Sequence, residues 1–209
     1  MSPTPIRILI ADDHWAVRMG LVSVLQFDRR ITVVGAAEDG RQAIALFREH
    51  RPDVVLMDLR MPEVDGIEAT RQIRAQFPEA RIIMLTTYDA DEDARRSLEA
   101  GASGYVLKTA GQAELMDAIQ AVQSGGQWIP AGLTKRLKEY AHQPALTMRQ
   151  LEVLELLAKG LSNKEIASVL GFTEDGTKEH LKAVFAKLGV NDRVEAVVTA
   201  IQRGLIRVQ

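Results

Sequence analysis

The chain has 209 residues, 46% of them hydrophobic and 26% charged, with no cysteine and a formal net charge of −2. This is the composition of a soluble globular protein of one or two domains at roughly 150 residues each. It excludes disulfides and thiolate metal sites; no apolar run reaches the ~20 residues that span a bilayer, and a cytoplasmic protein without signal peptide or membrane attachment is expected.

Strand-like runs alternate with helical patterns from Ile6 to Ser124. Ile6 to Ala11 reads as a strand closed by the acid pair Asp12-Asp13, and Trp15 to Leu25 as the helix after it. Ile31 to Ala36 is a second strand and Gln42 to Arg48 a second helix. In the third strand, Asp53 to Asp58, Val54-Val55-Leu56-Met57 form a continuous apolar run. That is the pattern of a strand buried on both faces of a parallel sheet. Helix Ile67 to Phe77, strand Arg81 to Thr86, helix Asp93 to Ala100, strand Ser103 to Leu107 and helix Ala113 to Val122 complete five βα units. The pattern predicts an α/β fold, a doubly wound five-stranded parallel sheet with helices on both faces.

In open sheets of this kind the chemistry sits at the carboxyl edge of the strands. Asp12-Asp13, Asp58, Thr86 and Lys108 end or follow the first, third, fourth and fifth strands, so all fall on that edge. Taken singly, a strand-end acid reads as a turn residue and a strand-end lysine as a solvated one; the combination has few structural alternatives. Three carboxylates within a few ångströms need a cation among them or a shared proton. All-oxygen donors favour a hard ion, Mg²⁺ first. Asp58 is then a candidate nucleophile that would form an aspartyl phosphate, with Lys108 and the Thr86 hydroxyl holding phosphoryl oxygens.

Gly125-Gly126 and Trp128-Ile129-Pro130 interrupt the periodicity, Thr134 to His142 reads as a short helix, and Gln143-Pro144 marks a boundary. This divides the chain into a first domain over residues 1–125, a linker over 126–144 and a second domain over 145–209. From Thr147 the pattern is helical throughout. Thr147 and Gln150 form a capping box for a helix ended by Gly160, Asn163 to Leu170 is stopped by Gly171, Asp175 to Leu188 by Gly189, and a helix capped by Asn191 or Asp192 ends at Gly204. Four short helices make a small all-α bundle, and the second and third have helix-turn-helix spacing. Thr177, Leu181, Val184, Phe185 and Leu188 mark the core stripe of the third helix, while Lys178 and Lys182 share another face suited to DNA phosphates or the major groove. Charge follows the same division: residues 1–124 hold 14 Lys/Arg against 19 Asp/Glu, and residues 145–209 hold 9 against 8.

Residues 6–124 resemble the receiver domain of two-component response regulators. The resemblance rests on Ile10-Ala-Asp-Asp-His14, Val54-Val-Leu-Met-Asp-Leu-Arg-Met-Pro62 with Asp65-Gly66, Met84-Leu-Thr-Thr87 and Gly101-Ala-Ser-Gly-Tyr-Val-Leu-Lys108. It implies a flavodoxin-like fold in which Asp58 is the phosphoacceptor. Asp13, Asp58 and the Arg60 carbonyl would bind Mg²⁺ directly, with Asp12 assisting through water. Thr86 and Tyr105 would form the switch pair, and Arg60 and Tyr88 would tune phosphoryl lifetime.

The second domain resembles the LuxR-type DNA-binding domain in Leu146-Thr-Met-Arg-Gln-Leu-Glu-Val-Leu154, Gly160-Leu-Ser-Asn-Lys-Glu-Ile-Ala167, His180-Leu181, Lys187-Leu-Gly-Val190 and Asp192-Arg193 with Glu195-Ala196. Together the two are similar to response regulators of the NarL/FixJ class, in which Lys178, Glu179 and Lys182 would face DNA and the fourth helix would supply a dimer contact. The implied function is regulation of transcription. A histidine kinase phosphorylates Asp58 with Mg²⁺, and a homodimer forms and reads an inverted-repeat operator. The receiver would do no more enzymatic work than assisting its own phosphorylation and dephosphorylation. One departure stands out: Glu174-Asp-Gly-Thr-Lys178 replaces the usual Glu-Gly-Thr-Val-Lys. With Glu179 beside it, this motivates an alternative in which the helix-turn-helix domain docks a protein through Glu174, Asp175 and Glu179.

Overall fold

The structure, a computed structural model, describes residues 4–87, 90–130, 132–135 and 146–206. It divides into two compact units, one of residues 1–89 and 94–131 and the other of residues 90–93 and 132–209.

The first unit is a five-stranded sheet in the order β2-β1-β3-β4-β5, all neighbours parallel. The strands are β1 (Ile6–Ala11), β2 (Ile31–Ala37), β3 (Val54–Asp58), β4 (Ile82–Thr86) and β5 (Gly104–Leu107). Helices α1 (Trp15–Gln26), α2 (Gly40–His50), α3 (Gly66–Gln76), α4 (Asp91–Glu99) and α5 (Gln112–Gln123) alternate with them. Alternation along each strand assigns the two faces. Ile8, Ile10, Val54, Leu56, Ile83, Leu85 and Val106 join Leu25 of α1 and Leu115, Ile119 and Val122 of α5 in one core. On the opposite face α2 packs on β1 and β2, and α3 on β3. Every residue of β3 is buried, as its unbroken apolar run requires.

Two close approaches shape the edge of this sheet. A Cβ at Gly66 would lie 2.0 Å from the Asp58 carbonyl oxygen, so only glycine lets α3 start hard against the end of β3. Asp65 caps α3 by accepting from the Glu68 N–H, and the Gly66 N–H bonds the Leu59 carbonyl at 3.0 Å. At the sheet's other edge, Trp128 pairs with Gly104: its N–H donates to Ser103 and its carbonyl accepts from Tyr105 at 2.9 Å. The start of the stretch read as linker is thus tied to β5. A single bridged residue has no periodicity by which a sequence could show it. Residues 132–135 are helical; the rest of the helix expected over Thr134 to His142, and the Gln143-Pro144 boundary, lie outside the described residues.

The second unit holds α6 (Met148–Ala158), α7 (Asn163–Leu170), α8 (Glu174–Leu188) and α9 (Arg193–Gln202). Thr147 and Gln150 form the expected capping box, and Ser162 and Glu165 form another at the start of α7. Asp192, not Asn191, caps α9, accepting from Val194 and Glu195. Gly171 and Gly189 take left-handed backbone at the ends of α7 and α8. Val153, Leu154, Leu157, Ile166, Leu181, Val184, Leu188, Ala196 and Ala200 form the bundle core.

Candidate functional site

Three chain segments meet at the carboxyl edge of the first unit. β1 delivers Asp12, fully buried, and the partly exposed Asp13; β3 delivers Asp58, 4% exposed; the turn after β5 delivers Lys108. Lys108 Nζ lies 2.7 Å from Asp12 Oδ2 and 3.0 Å from Asp58 Oδ1. The lysine is held in place by its own N–H, which donates to the Thr86 carbonyl at 2.6 Å.

Burial raises the Asp58 pKa by disfavouring its charged form; Lys108 and the Arg60 N–H oppose that shift without cancelling it. Burial also works against the Lys108 charge, but hydrogen bonds to Asp12 and Asp58 outweigh it, and the ammonium is stabilised. One ligand atom from each of Asp12, Asp13, His14 and Asp58 lies within 4.8 Å of the others. Carboxylates crowded this closely, one of them reluctant to ionise, form a donor set that a hard divalent ion fits.

Arg18 is an addition from the structure. One turn into α1, its Nη1 donates to the Asp12 carbonyl at 2.6 Å and the Asp13 carbonyl at 3.5 Å, fixing the acidic loop. Nothing in the sequence marked it except its place just after the acids.

Thr86 ends β4, buried, and Tyr105 is fully buried in β5 beside Met84. Val106 belongs to the core shared with α1 and α5, so Tyr105, one residue away, points to the other face. By the same alternation Thr86 and Met84 share that face with Tyr105. Arg60 follows β3, partly buried. Tyr88 lies outside the described residues.

In the second unit, Lys178, Glu179 and Lys182 are exposed on α8. They do not share one environment. Lys178 Nζ sits 3.0 Å from Asp175 Oδ1 and 3.6 Å from Glu174 Oε1, and these acids raise its pKa, Asp175 most. Both lysines line a depression of about 620 Å³ that also involves Asn163, Phe185, Asn191 and Arg193. Arg193 is held there by its bond to the Leu161 carbonyl at 3.1 Å. The sequence placed Asn163 and Arg193 in the LuxR-type motifs but not beside Lys178, because they belong to other helices.

The departure in the α8 motif resolves into local structure. Thr173 caps the helix through the Gly176 N–H at 3.0 Å. Thr177 is fully buried where an apolar β-branched residue is usual, and its hydroxyl donates to the Thr173 carbonyl at 3.2 Å. The buried hydroxyl is therefore satisfied.

A parallel sheet with an acidic edge and a helix-turn-helix bundle together define a class of signalling regulators, and comparison with known proteins agrees. Residues 8–120 match the response regulator receiver domain, and residues 144–200 match the bacterial regulatory proteins of the luxR family. The chain belongs to the two-component response regulators with a LuxR-type DNA-binding domain, a non-enzymatic kind of protein.

The chain is similar to the response regulator protein VraR of Staphylococcus aureus (strain Mu3), 41% identical over 207 residues, covering 97% of this chain and 99% of VraR. Among solved structures it is similar to the response regulator ChrA of a heme-sensing two-component system. There the identity is 38% and the TM-score 0.59, over 98% of this chain and 100% of that one. It is also similar to RcsB of Salmonella enterica serovar Typhimurium, solved on promoter rprA in the presence of the phosphomimetic BeF₃⁻. That match has 28% identity and a TM-score of 0.67, over 94% of this chain and 98% of that one.

Proposed function

We propose that this regulator is switched by Mg²⁺-dependent phosphorylation of Asp58, and that the phosphorylated chain dimerises and binds an inverted-repeat operator in the cytoplasm. The observation that carries the reading is Asp58 itself, buried at the end of the central strand, 3.0 Å from a lysine and within reach of two further acids.

An Asp58 carboxylate oxygen attacks the phosphorus of a phosphohistidine on the partner kinase; the O–P bond forms, the N–P bond breaks, and the imidazole leaves. Asp13, Asp58 and the Arg60 carbonyl, with Asp12 behind them, would hold a Mg²⁺ ion, which would supply the charge that brings two anions together. Lys108 releases Asp58 and takes a phosphoryl oxygen, Thr86 turns its hydroxyl to another, and the Tyr105 ring, on the same sheet face, responds to the space Thr86 leaves. Arg60 and Tyr88 set how long the phosphoryl group lasts.

Exposed apolar faces support the dimer. On α1, Trp15 is 71% and Met19 54% exposed; on α9, Val194, Val198 and Ile201 are exposed at helical spacing. Two such contacts would set a pair of α8 helices on half-sites about one helical turn apart. Lys178, Glu179 and Lys182 would face the DNA there.

A second reading, docking of a protein by the helix-turn-helix unit, is favoured by the Asp175 and Glu174 contacts that occupy Lys178. One experiment separates the two. The chain is incubated with Mg²⁺ and acetyl phosphate, assayed by intact mass and light scattering, and challenged with a random DNA pool. A phosphoryl adduct lost in Asp58→Asn, dimerisation and enrichment of an inverted repeat bear out the proposal. An adduct and dimer without enriched DNA favour the protein-docking alternative. Absence of any adduct rules out Asp58 as the phosphoacceptor.

A further inference from the structure

The amino edge of the sheet, opposite the acidic pocket, carries arginines that the roles above do not use. Arg7 lies at the start of β1, Arg48 is in the last turn of α2, and Arg51 caps that helix. Arg51 Nε donates to the Arg48 carbonyl at 3.1 Å, and Arg7 Nη1 to the Arg51 carbonyl at 3.0 Å. Arg51 and Arg48 also reach the end of α3. The Arg51 guanidinium lies 3.7 Å over the centre of the Phe77 ring, and Arg48 Nε donates to Gln76 Oε1 at 3.0 Å. Phe77 is in turn braced by Phe47, with ring centres 5.3 Å apart.

Every one of these contacts ends on a neutral group. Among the described residues none of the three guanidiniums is paired with a carboxylate, and the acids nearby are engaged elsewhere. Asp53 Oδ2 accepts from the Arg7 backbone N–H at 2.8 Å, Asp28 is held by Arg30, and Glu49 faces His50 at 4.0 Å. Capping of the α2 carbonyls uses one donor of Arg7 and one of Arg51, a small part of what a guanidinium offers, and leaves Arg48 unexplained. Nor does capping need arginine at residue 51. Its backbone is left-handed, with φ 44°, a conformation that glycine adopts freely and a residue with a side chain rarely does. The fold thus holds an exposed guanidinium flat on an aromatic face, at a position that favours glycine, with both of its Nη groups unpartnered.

We propose that Arg7, Arg48 and Arg51 form a binding site for a compact phosphate-bearing anion of diphosphate size. Guanidiniums take phosphate oxygens in pairs through their parallel N–H groups, and like charges gathered on shared anchors repel one another until an anion joins them. Their meeting at one corner, where α2 and α3 end, fits a single compact ligand rather than a long backbone tracked along a groove. The corner lies at the opposite end of the strands from Asp58. It is therefore a second ligand site on the first unit, separate from the phosphoacceptor.

The test titrates the full chain with inorganic pyrophosphate by calorimetry, at low salt and without divalent ions, alongside Arg48→Gln, Arg51→Gly and Arg41→Gln. Arg51→Gly suits the left-handed backbone, and melting curves check that each variant is folded. Arg51→Gly and Arg48→Gln should each lower pyrophosphate affinity at least tenfold. Arg41, at the other end of α2 and paired with Glu63, should be dispensable. No pyrophosphate binding by the wild type, retained affinity in Arg48→Gln and Arg51→Gly, or an equal loss in Arg41→Gln overturns the site. A random-sequence DNA duplex is titrated in parallel. A salt slope lowered by Arg48→Gln and Arg51→Gly, with no pyrophosphate bound, overturns the compact ligand and makes this edge a contact for DNA phosphates instead.

Discussion

Lys108 Nζ reaches across the sheet to within 3.0 Å of Asp58 Oδ1, joining the turn after β5 to the end of β3 past the intervening β4. Both groups are nearly buried, and the same ammonium holds Asp12. The lysine thus serves as a placeholder cation among the carboxylates, and the partner it chooses is what phosphorylation would change.

The raised pKa of Asp58 has a definite consequence for stability. The fold favours the protonated form, so this group helps folding below the ordinary carboxylate range near pH 4 and loses that help as pH rises through its folded value. At neutral pH the ionised, buried carboxylate opposes folding. Asp58→Asn should therefore raise the melting temperature of the receiver at pH 7 by a few degrees, the size of effect about 1 kcal/mol produces. The gain should vanish toward pH 4. Calorimetry across that range checks it, and an advantage that grows on acidification would contradict the assignment.

Removing Lys108 should do the opposite. Lys108→Met leaves Asp12 and Asp58 buried without their shared cation, and loss of one partner of a buried pair costs about 3–5 kcal/mol. Urea unfolding of the variant should show that loss. Mg²⁺ should recover part of it if the ion compensates the same charges.

Gly66 is a steric requirement of the site. Gly66→Ala places a methyl 2.0 Å from the Asp58 carbonyl oxygen, which neither backbone can absorb in place. A loss of about 1–3 kcal/mol and weaker Mg²⁺ binding are expected, whereas Gly111→Ala, with nothing within 4 Å of its added Cβ, should leave Mg²⁺ binding unaltered. Equal cation affinity in the wild type and Gly66→Ala would show that the strand end does not depend on this approach.

The start of α8 depends on Thr173. Thr173→Ala removes the cap on the Gly176 N–H and exposes the bundle to a loss of about 0.5–2 kcal/mol. Thr177→Val should cost less than about 1 kcal/mol, since it removes both a satisfied hydroxyl and the need to satisfy it. Thermal melts of the two variants rank them, and the reverse order would mean that the Thr177 bond is the stronger support.

On the DNA side, Lys182→Ala should weaken binding of all sequences alike and lower the salt slope by about 1. Asp175→Ala should act in the other direction by freeing Lys178 from its 3.0 Å contact. Binding isotherms at several salt concentrations measure both. An Asp175→Ala variant with unaltered DNA affinity, or a weaker one, would support the protein-docking reading.

Much of this molecule was legible in its sequence because the signals were local. The unbroken run Val54 to Met57, the acids that stop two strands, Lys108 after the fifth, and the cap residues Thr147, Gly171 and Gly189 each declare themselves within a few residues. Hydrophobic period and turn chemistry act over that range. What they could not give was the meeting of distant groups. That Lys108 would bond Asp12 as closely as Asp58, that Arg18 would hold the acidic loop by its carbonyls, and that Trp128 would bridge to β5 beside Tyr105 depends on where packed strands and helices bring chain ends together. The pattern of residues alone determined which faces are buried and which edge carries the acids. Tertiary packing decided the distances between them, and with those the partners and pKa shifts, because electrostatic and hydrogen-bond energies depend on separation and burial rather than on order along the chain.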